Sequence, residues 1–414
     1  MVSTLARSLG FENLSLAEDV VQDALLKAMH NWSFKGIPRN PSAWLMEVAK
    51  NRALDVVRRE QNFRSKENEI TLFLEQRSDA WTKPELPPLD NEIRDDQLRM
   101  MFACCHPSLP DADQVALTLK TLCGLDEKEI AAAFLSSTVA ITKRLVRARQ
   151  RIRETKIILE IPAGATLTDR LDSILQTLYL LFNEGYKASR GDELVRRELC
   201  EEAIRLATLL AEHPAGNRPK THALLALMLL NVARLPARAD EDGNMLLLAQ
   251  QDRTLWHKEI IARGMSHLNQ SAAGDEISEF HLQAGIASCH CSALTYEETN
   301  WSRILFLYDR LIEVNPSPVI ALNRAVAISN VNGPGAGLSA IESIPKSEIL
   351  ERYYLFHAVL GHFHFQLEDF EQAIRRFRRA YELTGSKSEQ MFLQEKVREC
   401  ERKTAIQNTM ILGH

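Results

Sequence analysis

The sequence predicts an all-α protein, and three observations predict it. Apolar side chains make up 45% of the 414 residues, and they recur at helical spacings of three and four. Glycine and proline are sparse, at 17 and 15, so long helices can run uninterrupted. Helix-start signatures, a capping side chain followed three residues later by a carboxylate, stand at Ser15 with Glu18 and at Asp126 with Glu129. The length allows two or three domains, each with its own core. The longest apolar run, residues 223–230, is too short to cross a bilayer, and the N-terminus lacks a signal-peptide pattern. The expectation is a cytoplasmic protein with no membrane partner.

From Ser15 the first helix places Ala17, Val20, Val21, Ala24, Leu25 and Ala28 on one face. Asp19, Gln22 and Asp23 form a compact polar cluster elsewhere on its surface. Residues 31–40 read as a loop containing Lys35, Gly36, Pro38, Arg39 and Asn40. Pro41 suits the first turn of a further helix reaching about Glu60. Leu45, Val48, Ala49 and Val56 share its buried face, and Asn51, Asp55 and Arg58 share another. Arg52 falls on the apolar side, where an internal ion pair suits it better than contact with a base. Trp44 fits core packing better than stacking on nucleic acid.

Residues 61–94, with Pro84, Pro87 and Pro88, read as an acidic tether. Residues 66–96 hold nine acids against four bases, a difference equal to the whole net charge of −5. The rest is balanced, with basic clusters at 50–59 and 143–153. Such local patches, not the total, decide whether phosphate is attracted.

Helical patterns resume at 95–105 and 111–122. Asp126 with Glu129 then opens a short helix, with Leu125 and Ile130 as a hydrophobic staple. A turn at Leu135, Ser136 and Ser137 offers a serine cap to the next helix. That helix aligns Ile141, Leu145, Ala148 and Ile152 on one face, and its remaining surface carries Lys143, Arg144, Arg147, Arg149, Arg151 and Arg153. Two short helices around a tight turn, the second strongly basic, form the helix-turn-helix pattern. A solvated basic face is the bland alternative.

Pro162 and Gly164 break the pattern at 161–168. Helices then follow without a basic stripe. Leu360, Gly361, His364, Ala373, Phe377 and Ala380 match the spacing of a tetratricopeptide helix pair, with Gly385 where proline is usual. Ile304, Tyr308, Leu311 and Pro316 fit only the second half of that pattern. Residues 167–405 therefore read as a tetratricopeptide-like helical solenoid.

Seven cysteines suit free thiols in a reducing setting. Cys104-Cys105-His106 and Cys289-His290-Cys291 lack the paired spacing of a structural zinc site, so no metal and no cofactor is expected. Asn183-Glu184-Gly185-Tyr186 reads as a helix end at Gly185, with no acid/base constellation beside it. The expectation is a protein that is not an enzyme.

The basic segments taken together carry a resemblance. LAEDVVQDALLKAMHNW followed by PSAWLMEVAKNRALDVVRRE resembles region two of bacterial RNA polymerase sigma factors of the extracytoplasmic-function class. Residues 95–154, DDQLRMMFACCHPSLPDADQVALTLKTLCGLDEKEIAAAFLSSTVAITKRLVRARQRIRE, resemble their region four. The rest, including LYLLFNEGY at 178–186, is similar to the subgroup with a tetratricopeptide-like C-terminal extension. The resemblance implies region two at 1–60, with a truncated first helix, the acidic linker at 61–94, region four at 95–160 and the extension at 167–405.

It also implies roles. Asp19, Gln22 and Asp23 match the face that docks on core RNA polymerase. Lys35, Arg39 and Asn40 match the loop that captures a base flipped from the melted −10 promoter element. Asn51, Asp55, Arg58 and Arg59 match the helix facing that element. Thr138, Ala140, Thr142, Lys143, Arg144 and Arg147 match the reader of the −35 element in promoter DNA. The extension is expected to regulate by taking a protein or peptide ligand. The alternative is a conventional helix-turn-helix regulator with a helical-repeat sensor, which leaves residues 15–60 and the acidic tether unexplained.

Overall fold

The computed structural model describes residues 1–9, 13–63, 95–155, 169–190, 195–240, 245–345 and 348–412. The acidic tether beyond residue 63 and the break at 161–168 lie outside them. The chain forms two compact units. One comprises Met1–Ala131, Ser137–Thr177 and His213–Ala215, and the other Ala132–Ser136, Leu178–Glu212 and Gly216–His414.

In the first unit, α1 (Val2–Leu9) packs on α2 (Leu14–Lys35), and α2 packs on α3 (Pro41–Phe63). Next come α4 (Asp96–Cys104), α5 (Asp111–Thr121), α6 (Glu127–Ala133) and α7 (Thr138–Thr155). One core joins both sets: Leu5, Leu14, Val20 and Ala53 are buried with Met100, Leu117, Ala148 and Ile152. Each leucine so buried contributes about 1.5–3 kcal/mol. Asp95 caps α4 by accepting from the amides of Gln97 and Leu98 at 3.0 and 2.9 Å. Gln114 donates to the carbonyls of His106 and Leu109 at 3.2 and 2.8 Å, which fixes the connection before α5. The start of α8 (Leu171–Tyr186) also belongs here. Just ahead of it, Arg170 donates to the Phe102 carbonyl at 2.7 Å, and Leu171, Ile174 and Leu175 are buried.

Three expectations fail within α2. The helix starts at Leu14, so Ser15 lies inside it and caps nothing, and Asn13 makes no side-chain cap bond. Glu18, freed from a capping role, reaches instead to residues far along the chain. The helix also runs through Lys35 and stops at Gly36, whose φ is +77°. Asn31 is a tolerable helix residue, whereas a positive φ suits glycine, so the chain turns there. The connecting loop is 36–40 only. Leu25 is 45% exposed instead of sharing the buried face.

In the second unit each helix packs on its chain neighbours, from α9 (Arg197–Glu212) through α10 (Pro219–Val232), α11 (Lys258–Ser271), α12 (Glu279–Ser292), α13 (Trp301–Val314), α14 (Pro318–Asn332) and α15 (Pro334–Glu342). The short α16 (Glu348–Glu351) leads into α17 (Tyr354–Gln366), α18 (Phe370–Leu383) and α19 (Lys387–Leu412). Buried clusters succeed one another: Leu282, Ile304 and Leu311, then Leu322, Ile341 and Phe363, then Phe370, Phe377 and Leu393. Such serial cores characterise stacked helical repeats. The predicted helix pair is α17 and α18. A Cβ on Gly361 would meet the Phe377 ring at 2.7 Å, so glycine is what lets the two helices approach. Asp369 caps α18 by accepting from the Gln372 amide at 3.3 Å.

Candidate nucleic-acid interface

The capping box ahead of α6 forms in both directions. The Asp126 carboxylate accepts from the Glu129 amide at 2.8 Å, and the Glu129 carboxylate accepts from the Asp126 amide at 2.7 Å. The staple residues Leu125 and Ile130 are fully buried. Leu135 turns the chain with φ +47°, and Ser137 caps α7 by accepting from the Ala140 amide at 3.3 Å. Ile141, Leu145, Ala148 and Ile152 are all buried along α7.

That buried stripe divides the basic residues of α7 into two sets. Arg149 donates to Glu18 at 2.8 Å, and the Thr121 hydroxyl donates to the second Glu18 oxygen at 2.7 Å. Arg144 lies 3.6 Å from Asp113, a carboxylate that is itself buried. Arg144 and Arg149 therefore bind the helix to its own unit. Lys143, Arg147, Arg151 and Arg153 are exposed, and none makes an ion pair among the described residues. Thr138 is half-buried, and Ala140 and Thr142 are exposed. The Thr142 hydroxyl is turned back to the Thr138 carbonyl at 3.0 Å.

On α3, Ala49 and Ala53 are buried while Asn51, Asp55 and Arg58 are exposed together. The Arg59 side chain lies outside the described residues. Arg52 makes the internal ion pair its position implied, with Asp23 at 2.8 Å. Trp44 packs against Trp32, ring centroids 5.5 Å apart. Lys35 ends α2, and Arg39 is exposed. Asn40 is exposed too, but its side chain also accepts from the Ala43 amide at 3.1 Å and so caps α3. Asp19 and Gln22 stand open on α2, whereas Asp23 is committed to Arg52.

The sequence pattern missed two features. Glu18 was read as a cap, but it bridges to Thr121 and Arg149, and no local spacing points that far. Leu26, Met29, Phe34 and Ile37 are large apolar side chains left 64–80% exposed. Leu26 and Met29 follow Gln22 at four and seven residues, so they share its face. That spacing was visible and was the available signal.

Burial pushes the Cys105 thiol up to about 12, so it stays protonated and behaves as a small apolar side chain. The buried Glu184 carboxylate in α8 accepts from the Ser189 amide and hydroxyl at 3.0 and 3.1 Å, a structural use of that acid. Among the described residues no helix is long and apolar enough to cross a membrane, and no group of three or more acidic, histidine or cysteine side chains is placed to hold a metal.

Comparison with known proteins agrees with this geometry. The description "Sigma-70 region 2" matches residues 1–63, and "Sigma-70, region 4" matches residues 99–152. A "Family of unknown function (DUF6596)" matches residues 170–272. A protein of Rhizobium meliloti (strain 1021), named only as uncharacterized, is 38% identical over 92% of this chain and 89% of its own length. The "Probable ECF RNA polymerase sigma factor SigI" of Mycobacterium tuberculosis (strain H37Rv) is 23% identical over 58% of this chain and 86% of its own. No solved structure matches. With both sigma regions in order, an extracytoplasmic-function relative and a helical remainder, the chain belongs to the extracytoplasmic-function class of RNA polymerase sigma factors and carries a C-terminal helical extension.

Proposed function

We propose that the open side of α2 is the surface on which this sigma factor joins core RNA polymerase. One observation carries the reading. Asp19 and Gln22 are exposed beside Leu26 and Met29, on a helix whose opposite face, Ala17, Val20, Ala24 and Ala28, is buried. An apolar patch edged by a carboxylate and an amide suits a partner surface that is partly basic. Asp23 supports this face by holding Arg52 rather than by projecting from it. The exposed residues of α3, Asn51, Asp55 and Arg58, with Lys35, Arg39, Asn40 and Arg59, face the melted −10 strand. On α7, Thr138, Ala140 and Thr142 lie toward the base-reading end, and Lys143 and Arg147 contact phosphate or guanine. Arg144 reaches DNA only by leaving Asp113.

The protein works in the cytoplasm, where core polymerase is. Its extension regulates it by taking a protein or peptide ligand along the stacked helices. A chain ending at Thr177 keeps the first unit apart from His213–Ala215; unchanged activity and promoter choice in that shortened chain would remove the regulatory role.

The docking assignment is tested by the pair Asp19→Lys and Gln22→Ala in the full chain. Co-purification with core polymerase and run-off transcription should both fall at least tenfold. Undiminished co-purification of a folded variant would reject the assignment of this face.

A further inference from the structure

The second unit holds a cluster of cations unlike any in the first. Arg234 follows α10, and Arg253 opens the short 3-10 turn Arg253–Leu255. Both guanidinium groups lie against the indole of Trp256, at 5.2 and 4.9 Å from the ring centre. Trp256 is buried, and both arginines are half-buried. Arg253 donates to the carbonyls of His290 and Ala293 at 2.9 and 2.8 Å and to the Thr299 hydroxyl at 2.9 Å. Those partners are neutral. Arg234 donates no side-chain hydrogen bond to any described residue. Neither arginine has a carboxylate within ion-pair distance among the described residues. The carboxylate whose field reaches Arg253 is that of the exposed Glu297.

Four buried nitrogens in this cluster have no hydrogen-bond partner among the described residues: Nε of Arg234, Nε of Arg253, Nε1 of Trp256 and Nδ1 of His290. Three of the four can only donate. Nearly every buried donor in a folded protein is satisfied, and an orphan calls for an explanation. Two like charges against one ring also repel, and half-burial strengthens the repulsion. An acceptor-rich anion removes both costs at once. Two positive charges with no ion-paired carboxylate among the described residues match a dianion, and guanidinium edges bind phosphate oxygens in pairs.

We propose that Arg234, Arg253, Trp256 and His290 form a binding site for a small phosphate-class oxyanion in the extension. The site does not depend on how the first unit engages polymerase or DNA. Its anion is free phosphate or the phosphate group of a small metabolite; the chemistry at the cluster is the same. Burial, with the field of both arginines added to it, holds the His290 imidazole down at about 3, so it meets the anion neutral. An anion seated there offsets that field and raises the imidazole toward its ordinary value.

The test uses the full chain, with inorganic phosphate and glycerol 3-phosphate as probes and chloride at matched ionic strength as control. Calorimetry should show saturable binding of at least one probe. Binding should raise the melting temperature and shift the His290 titration upward by proton resonance. In Arg234→Gln the affinity should fall at least tenfold. Its unliganded melting temperature should hold or rise, because one of two repelling charges is gone. Tighter binding of glycerol 3-phosphate assigns the site to a phosphorylated metabolite, and equal or tighter binding of inorganic phosphate assigns it to the free ion. No binding above chloride by either probe overturns the proposal. So does a Gln variant that melts lower yet binds as the parent does, which would make Arg234 a structural residue alone.

Discussion

The exposed cations of helix α7 and the Arg234–Trp256–Arg253 cluster both lack a carboxylate within ion-pair distance among the described residues, and they differ in exposure to water. Lys143, Arg147, Arg151 and Arg153 are exposed, so lacking a partner costs them little. They suit a polyanion that comes and goes with salt. Arg234 and Arg253 are half-buried with orphaned nitrogens, and lacking a partner is costly there. The same residue type in the same unpaired condition thus indicates a nucleic-acid surface in one place and a small-anion site in the other. Arg149 is the third case: half-buried, with its carboxylate supplied by Glu18.

The sharpest way to break this distinction is to remove Arg149. Arg149→Ala leaves Glu18 partly buried without its cation, and should cost the first unit about 3 kcal/mol, toward the lower end expected of broken buried pairs because both side chains keep some exposure. Hydrogen exchange at the Leu117 and Ile152 amides reads that unit directly. A loss below about 0.5 kcal/mol, the level of ordinary surface changes, would place Arg149 with the exposed set.

Acid offers the next largest effect, and it separates the two units. Burial lowers six imidazoles of the second unit, those of His222, His267, His281, His290, His357 and His362. In the first unit it lowers His106. A folded-state value below 6.5 means the unfolded chain binds more protons between the two values. Stability is then full above about pH 6.5 and is lost as pH falls toward the folded value, at up to about 1.4 kcal/mol per pH unit for each such group. Hydrogen exchange from pH 7 to pH 5 should show the second unit losing protection first. His222 and His267, joined nitrogen to nitrogen at 3.0 Å, can share only one proton, so their contact should open early. Equal loss in both units would contradict the account.

How much of this was legible in the chain depends on the distance a signal must span. The Asp126–Glu129 box, the stripe from Ile141 to Ile152 and the helix pair that contains Gly361 are local patterns, legible from periodicity and turn chemistry. Arg52 was placed correctly because its position on a helical wheel already conflicted with its charge. Glu18 was misread because its partners lie 103 and 131 residues away, and a plausible local use, capping with Ser15, competed for it. The cluster at Trp256 was invisible for the same reason. Arg234, Arg253 and His290 come together only through packing, and the local pattern Cys289-His290-Cys291 carries no signal of the two arginines. Cys291 instead donates to the Leu230 carbonyl at 3.4 Å, and His290 packs edge-on to Trp301.

The smallest effect on stability carries the largest on function. Arg147→Ala should change folding by less than about 0.5 kcal/mol, because the side chain is exposed and makes no ion pair among the described residues. The most direct test of the central claim is promoter affinity of the holoenzyme measured across a salt series. Removing Arg147 should weaken binding roughly uniformly across promoter sequences and lower the salt slope by about 1, and removing Lys143 as well should lower it by about 2. An unchanged slope in the double variant would mean that the exposed cations of α7 do not meet DNA.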